Sequence, residues 1–247
     1  MNSFQTKPTS EMQKGSNSTH AKPFFRQQKF KNATRLQNSF TAVPERQALL
    51  WLAARMPPSI NSDHLTLLGF VAMFLAGGSY VLARWNPWGL LLATLCLVLN
   101  WLGDSLDGTL ARVRNRQRPR YGFYVDHMTD SFGALFLMGG LAASGYIDWR
   151  IATGLLVAFF LLSIESYLAS YTLGVFRLSF AKFGPTEIRI LLAIANTILF
   201  FMPAARIPGW SHRLLNVGGA IAMVAMAAMA LFAAVSHTLT LHRQESL

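Results

Sequence analysis

The chain has 247 residues, 52% hydrophobic and 13% charged, with a formal net charge of +11. Its charged fraction is about half the ~25% of an average globular domain, and its apolar residues come in long blocks, which argues against a soluble domain and for an integral membrane protein. In so apolar a chain the excess of Lys and Arg marks the cytoplasmic side of a membrane, so membrane lipids are expected as partners and nucleic acid is not. Cys96 is the single cysteine, which rules out an intrachain disulfide.

In chain order, residues 1–43 are rich in Ser, Thr, Asn, Gln and Lys and read as a disordered basic cytoplasmic tail. Their Ser-rich, acid-poor composition also suits a transit peptide. Residues 44–58 hold "RQALLWLAARM" between Pro44 and Pro57-Pro58. That stretch is too short to span and reads as a juxtamembrane amphipathic helix lying in the interface. Residues 59–242 are expected to form an all-α integral membrane domain of six transmembrane helices, and 243–247 a cytoplasmic C-terminus. The spans fall at about 64–83, 88–111, 122–144, 150–175, 186–204 and 214–239, each near the ~20 residues a bilayer requires. The breaks between them carry Pro, Gly or charge.

The segment ahead of the first span holds nine Lys and Arg, the loop 112–120 holds five, and the loop after the fourth span adds Arg177 and Lys182. The opposite loops hold only Arg84, Arg150, Arg206 and Arg213. The positive-inside rule then places both termini, and the 112–120 loop, in the cytoplasm.

Four of the eleven acidic residues, Asp104, Asp107, Asp126 and Asp130, lie between Asp104 and Asp130 in otherwise apolar surroundings. In the expected topology all four sit at one depth on two antiparallel helices. At ~100° per residue, Asp104, Asp107, Gly108 and Ala111 share one face of the second span, and Gly122, Asp126 and Asp130 form a stripe on the third. Four anions converging in a low dielectric repel unless cations neutralise them. Hard oxygen ligands suit two divalent cations, Mg²⁺ or Mn²⁺, and such a pair suits displacement at a phosphoryl group. Arg112 can reach phosphate with a planar fork of donors. The bland alternative is that each aspartate pairs with an arginine and that Gly and Ala serve helix packing.

This stretch resembles the signature of the CDP-alcohol phosphatidyltransferase family, D-x2-D-G-x2-A-R-x8-G-x3-D-x3-D. Here it reads Asp104-x2-Asp107-Gly108-x2-Ala111-Arg112, then Gly122-x3-Asp126-x3-Asp130, with nine residues instead of eight between Arg112 and Gly122. "SDHLTLLGF" (Ser62–Phe70) resembles the family's P-N-x-L-T-x-x-G entry to the first span. Thr66 and Gly69 match it, and Ser62 and Asp63 replace Pro and Asn. The resemblance implies that Asp104 and Asp126 bridge two metals, that Asp107 and Asp130 each hold one, and that Asp130 is general base on the acceptor hydroxyl. It assigns Thr66, Gly108, Ala111, Arg112, Gly122 and, in the loop, Arg118 to the CDP moiety. It also implies release of CMP from a CDP-linked lipid donor, a small alcohol acceptor, and a homodimer.

Other residues carry two readings each. Asn100 shares the Asp104 face and reads as a hydrogen bonder behind the metal site or as a plain helix-to-helix contact. His127 reads as a packed histidine or as a contact to metal or acceptor. Glu165 reads as lining an acceptor pocket or as a structural hydrogen bonder. Arg189 reads as pairing with Glu187, or as forming with Arg177 and Lys182 a basic rim for a phosphorylated acceptor. The other basic residues of the 112–120 loop read as ordinary topology signal.

The expected function is a metal-dependent phosphatidyltransferase using CDP-diacylglycerol. A CDP-aminoalcohol phosphotransferase acting on diacylglycerol is the nearest alternative. A membrane prenyltransferase fits less well, because that family's second acidic motif lies farther along the chain. A divalent-cation transporter fits less well, because such sites lie near the bilayer midplane.

Overall fold

A computed structural model describes residues 34–36, 42–177, 185–202 and 214–245. Seven helices carry nearly all of them: α1 (Ala42–Arg55), α2 (Ser62–Ala83), α3 (Trp88–Val113), α4 (Pro119–Ser144), α5 (Trp149–Thr172), α6 (Pro185–Phe201) and α7 (Leu214–Gln244). Four of the expected spans fall within one helix each, because the apolar run ends where Pro, Gly or a capping residue stops it, while α5 and α6 stop at Thr172 and Phe201, short of the expected ends at 175 and 204. At α2 the Asn61 N–H donates to His64 Nδ1, and at α5 the Asp148 carboxylate accepts from the Arg150 N–H at 2.8 Å. Gly145, at φ 77°, ends α4 in the left-handed conformation that glycine adopts without penalty.

Four helices, α2, α3, α5 and α7, are long and apolar enough to cross a membrane. The other two expected spans fall short for separate reasons. α6 has 17 residues, about 26 Å at 1.5 Å per residue against a ~30 Å hydrocarbon core. α4 has ample length but carries Arg120, Asp126 and Asp130. The expectation of a wholly helical chain also meets an exception. β1 (Thr34–Leu36) pairs in parallel with β2 (Val175–Arg177). β1 comes from the stretch read as tail, and β2 begins where the fourth span was expected to end. The rest of the 1–41 segment lies outside the described residues, as do Lys182 and residues 203–213, 246 and 247.

α2 is the central element, packed against α3 on one side and α4 on the other. Missing side chains permit this. A Cβ on Gly103 of α3 would lie 2.5 Å from the Leu65 carbonyl oxygen of α2. Gly140 of α4 and Gly77 of α2 meet backbone to backbone in the same way. Close approach through small residues is the usual means of helix association where lipid removes the hydrophobic driving force. A buried network joins a third helix: Tyr80 donates to Asn196 Oδ1 at 3.0 Å, and Asn196 Nδ2 donates to Thr94 Oγ1 at 3.1 Å, tying α2, α6 and α3 together. α5 packs on α4 and α7. α1 lays Leu49 and Ala53 against Leu65, Leu106 and Leu110, while Val43, Leu50 and Trp51 face outward. Leu67, Phe74, Leu161, Leu168, Leu231 and Phe232 are exposed around the bundle, a surface suited to lipid and not to water.

Candidate active site

The turn between α3 and α4 places the two halves of the acidic motif side by side. α3 stops with Asn115 at φ 53°. The Arg116 N–H reaches the Ala111 carbonyl at 2.9 Å and the Asn115 N–H reaches the Arg112 carbonyl at 3.1 Å. This is a Schellman ending, with Asn in the position most often taken by Gly. Pro119 then opens α4, where its missing N–H costs nothing. The extra residue of the signature is accommodated in this turn, and both helical spacings are kept.

Asp104, Asp107, Asp126 and Asp130 line one small cavity with Thr66, Gly69, Phe70, Asn100 and Thr129. The cavity is thus built from α2, α3 and α4, the three helices held together by the glycine contacts. Asp104, Asp107 and Asp126 are half-buried and Asp130 is exposed. The carboxylates are engaged by protein donors. Thr66 donates to Asp107 Oδ2 at 2.6 Å, and the Gly108 N–H turns to Asp107 Oδ1. Arg189 of α6 donates to Asp104 Oδ2 at 2.7 Å. The expected pairing of Arg189 with Glu187 is therefore replaced by one with Asp104, an ion pair whose side chains are 16% and 26% exposed. Among the described residues no three His, Cys, Asp or Glu side chains already form a closed metal-ligand set.

The residues nonetheless fit a divalent cation. All the polar groups around the cavity are hard oxygen donors, apart from the amide nitrogen of Asn100. Asn100 Oδ1 is buried and has no hydrogen-bond partner, so the cavity presents an acceptor with no protein donor to satisfy it.

Of the expected nucleotide residues, Thr66 of α2 lines the cavity, and Gly108, Ala111, Arg112, Arg118 and Gly122 lie on the end of α3 and the start of α4. Arg112 is exposed, and its Nη2 donates to Thr109 Oγ1 at 2.9 Å. A Cβ on Gly108 would sit 3.5 Å from Arg112 Nη1, so glycine leaves that guanidinium close to the helix backbone. Ala111 is half-buried and Gly122 opens to free space. Arg118 pairs with Asp63 at the start of α2 and stacks over the Tyr121 ring. Both partners of that ion pair are about half exposed, so it adds little stability.

The loop arginines are more than topology signal. Arg114 donates to the main-chain carbonyls of Met56, Pro57 and Ile60, fastening the α1–α2 connection to the end of α3. Among the described acceptor candidates, Arg189 touches the acidic cluster. Glu165 pairs with His237 of α7. Lys182 and the side chain of Arg177 lie outside the described residues. His127 is buried, with Nδ1 against the Phe123 carbonyl and its ring edge-on to Tyr167 at 4.5 Å, which is the packed reading. Asn100 Nδ2 donates to the Gly69 carbonyl at 3.0 Å, which is the helix-to-helix contact.

Sequence reasoning passed over Glu45. Its Oε1 accepts from Trp101 Nε1 at 2.8 Å, Thr186 Oγ1 at 3.0 Å and Ser105 Oγ at 3.2 Å. A lone acid near the start of an interfacial helix carries no signal for such a role. Thr129 was passed over as well, its only cue being its place beside Asp130.

The profile of CDP-alcohol phosphatidyltransferases matches residues 60–237, well over half of the chain. A protein of Aquifex aeolicus (strain VF5), described only as an uncharacterized protein, is 36% identical over 141 residues, covering 54% of this chain and 67% of the relative. The matched region takes in α2 to α5 with the whole acidic cavity, α6, and most of α7. The chain belongs to the CDP-alcohol phosphatidyltransferase family, a family of membrane phosphotransferases that act on CDP-linked alcohols.

Proposed function

We propose that the protein transfers a phosphatidyl group from CDP-diacylglycerol to the hydroxyl of a small alcohol and releases CMP. The observation that carries this reading is the single cavity lined by Asp104, Asp107, Asp126 and Asp130, with Arg112 at the end of the same hairpin. Asp104, Asp107, Asp126 and Asp130 would hold two divalent cations, Mg²⁺ or Mn²⁺. Such cations offset the charge that grows on a departing nucleotide phosphate. Arg112 supports the same charge with its guanidinium, beside Gly108, where the helix surface is bare enough for a nucleotide to approach. Thr66 holds the Asp107 carboxylate in one rotamer through its hydroxyl.

Asp130, the most exposed of the four, is the general base. It accepts the acceptor's hydroxyl proton as the new phosphoester bond forms and the bond to CMP breaks. Arg189, paired with Asp104, is the described basic group that could receive an anionic acceptor, and it would exchange its carboxylate partner for that anion.

The reading includes six membrane spans, with α4 and α6 crossing beside the four more apolar helices, and with both termini and the cavity on the cytoplasmic side. The Lys and Arg bias supports that sidedness, and helix packing supports the span count, because α4 and α6 lie along α2 and α3. The reading also includes a homodimer, which family membership supports.

The test is CMP release by purified protein in detergent with Mn²⁺ or Mg²⁺, from CDP-diacylglycerol and a panel of alcohols and phosphorylated alcohols. Acceptor-dependent release that Asp130→Asn lowers by about 10²–10⁴-fold supports the proposal. Release only from CDP-aminoalcohols with diacylglycerol would move the protein to the other branch of the family.

A further inference from the structure

The two ends of the Asn100 amide meet different surroundings. The residue is 5% exposed and sits on α3 one turn before Asp104. Its Nδ2 donates to the Gly69 carbonyl. A flipped amide would set oxygen against oxygen there, so the orientation is fixed by chemistry. Oδ1 is the end left over, buried and unpartnered, and Asn100 lines the same cavity as the four aspartates. A helix-to-helix bond accounts for the nitrogen and leaves the oxygen unexplained. Buried acceptors without partners are rare in folded proteins, so this oxygen calls for a ligand.

Charge balance indicates which ligand. Four carboxylates already match two divalent cations, so a further ligand adds least repulsion if it is uncharged. An amide oxygen is hard, neutral and common among ligands of such ions. Position agrees, because one helical turn sets Asn100 on the Asp104 face at the inner end of the cavity.

We infer that Asn100 Oδ1 is an additional, uncharged oxygen ligand for a divalent cation held with Asp104, a role outside the eight signature residues. The inference rests on the reading that the aspartates hold cations.

Mn²⁺ alone is the probe, titrated against the purified full-length protein in detergent and followed by the loss of free-ion electron paramagnetic resonance signal. Thermal midpoints are measured with and without Mn²⁺. Asn100→Leu removes both ends of the amide, and its Mn²⁺ dissociation constant is expected to rise about tenfold. Asn100→Asp keeps an oxygen and loses the donor to Gly69. It is expected to lower the metal-free midpoint while binding Mn²⁺ at least as tightly as the wild type. A merely structural Asn100 predicts instead that both variants lose stability and neither changes Mn²⁺ affinity. That result overturns the inference, as does an Asp variant binding as weakly as the Leu variant. If Asn100→Leu does not fold, Asn100→Asp decides alone, and weakened binding there overturns the inference. Asp104→Asn is the control: Mn²⁺ affinity unchanged in that variant would remove the cation reading itself, and the inference with it.

Discussion

Thr66 is the smallest group on which the cavity's order depends. Its hydroxyl lies 2.6 Å from Asp107 Oδ2 and 3.1 Å from the Ser62 carbonyl, and its one hydrogen favours the nearer, charged acceptor. Hydrogen bonds to charged groups contribute about 1.5–3 kcal/mol each, enough to select one carboxylate rotamer. Thr66→Val keeps the shape and removes the donor. It is expected to lower kcat/KM about tenfold and to weaken divalent-cation activation by a similar factor. Thr66→Ser should restore most of both, and steady-state kinetics across a Mn²⁺ series separates the two effects. Arg114 makes a contrasting case, since its three carbonyl partners lie away from the acidic cavity. Arg114→Ala is expected to cost about 1–3 kcal/mol of stability by leaving those carbonyls without their donor. Arg114→Lys should recover little of it, because a single ammonium cannot reproduce the planar fork. Thermal unfolding in detergent checks both.

At the level of helices, the cavity depends on how closely α2 approaches α3. Gly103 faces the Leu65 carbonyl and the Gly69 N–H on one turn of α2, so a methyl group there meets helix backbone that cannot turn away. Gly103→Ala is expected to destabilise the protein by about 1–3 kcal/mol. It should also lower activity more than stability alone explains, because it moves Thr66 away from Asp107. Gly139, with open space around it, is the control position, and Gly139→Ala should leave both nearly unchanged. Glu45 joins the helices in another way. One oxygen takes donors from α3 and α6, and Ser105 and Thr186 stand next to Asp104 and within one turn of Arg189 in sequence. The clamp therefore keeps α6 where Arg189 can reach Asp104. Glu45→Ala should strand three donors, while Glu45→Gln keeps an acceptor and should lose less. The acceptor KM, read against the donor KM, reports whether Arg189 has moved.

Across the whole molecule, what the sequence made legible followed local rules. Helix bodies show as apolar runs, and the carboxylate stripe on α4 shows as a spacing of four, because helical geometry repeats over a few residues. The Asp104–Arg189 pair, the Glu45 clamp and the strand pairing of 34–36 with 175–177 join segments far apart in the chain. No periodicity records such contacts. Topology stands between these cases, since charge bias argues for it and helix length alone does not complete it. The six-span arrangement has a direct test, made easier because Cys96 is buried, 3% exposed. In a Cys96→Ala background, single cysteines at Ser16, Gln117 and Ser246 should react with a membrane-impermeant maleimide from the cytoplasmic face. Cysteines at Trp85, exposed in the α2–α3 turn, and at Trp149, exposed at the start of α5, should react only from the opposite face. If either α4 or α6 fails to cross, Ser246 will label from the face opposite to Ser16, because the number of crossings becomes odd. If both fail, Ser16 and Ser246 again share a face, but Trp149 joins Gln117 on the cytoplasmic one. The position of Trp149 therefore decides whether the acid-bearing helix spans the bilayer. It also decides whether the cavity opens where a lipid-linked nucleotide and a water-borne alcohol can meet.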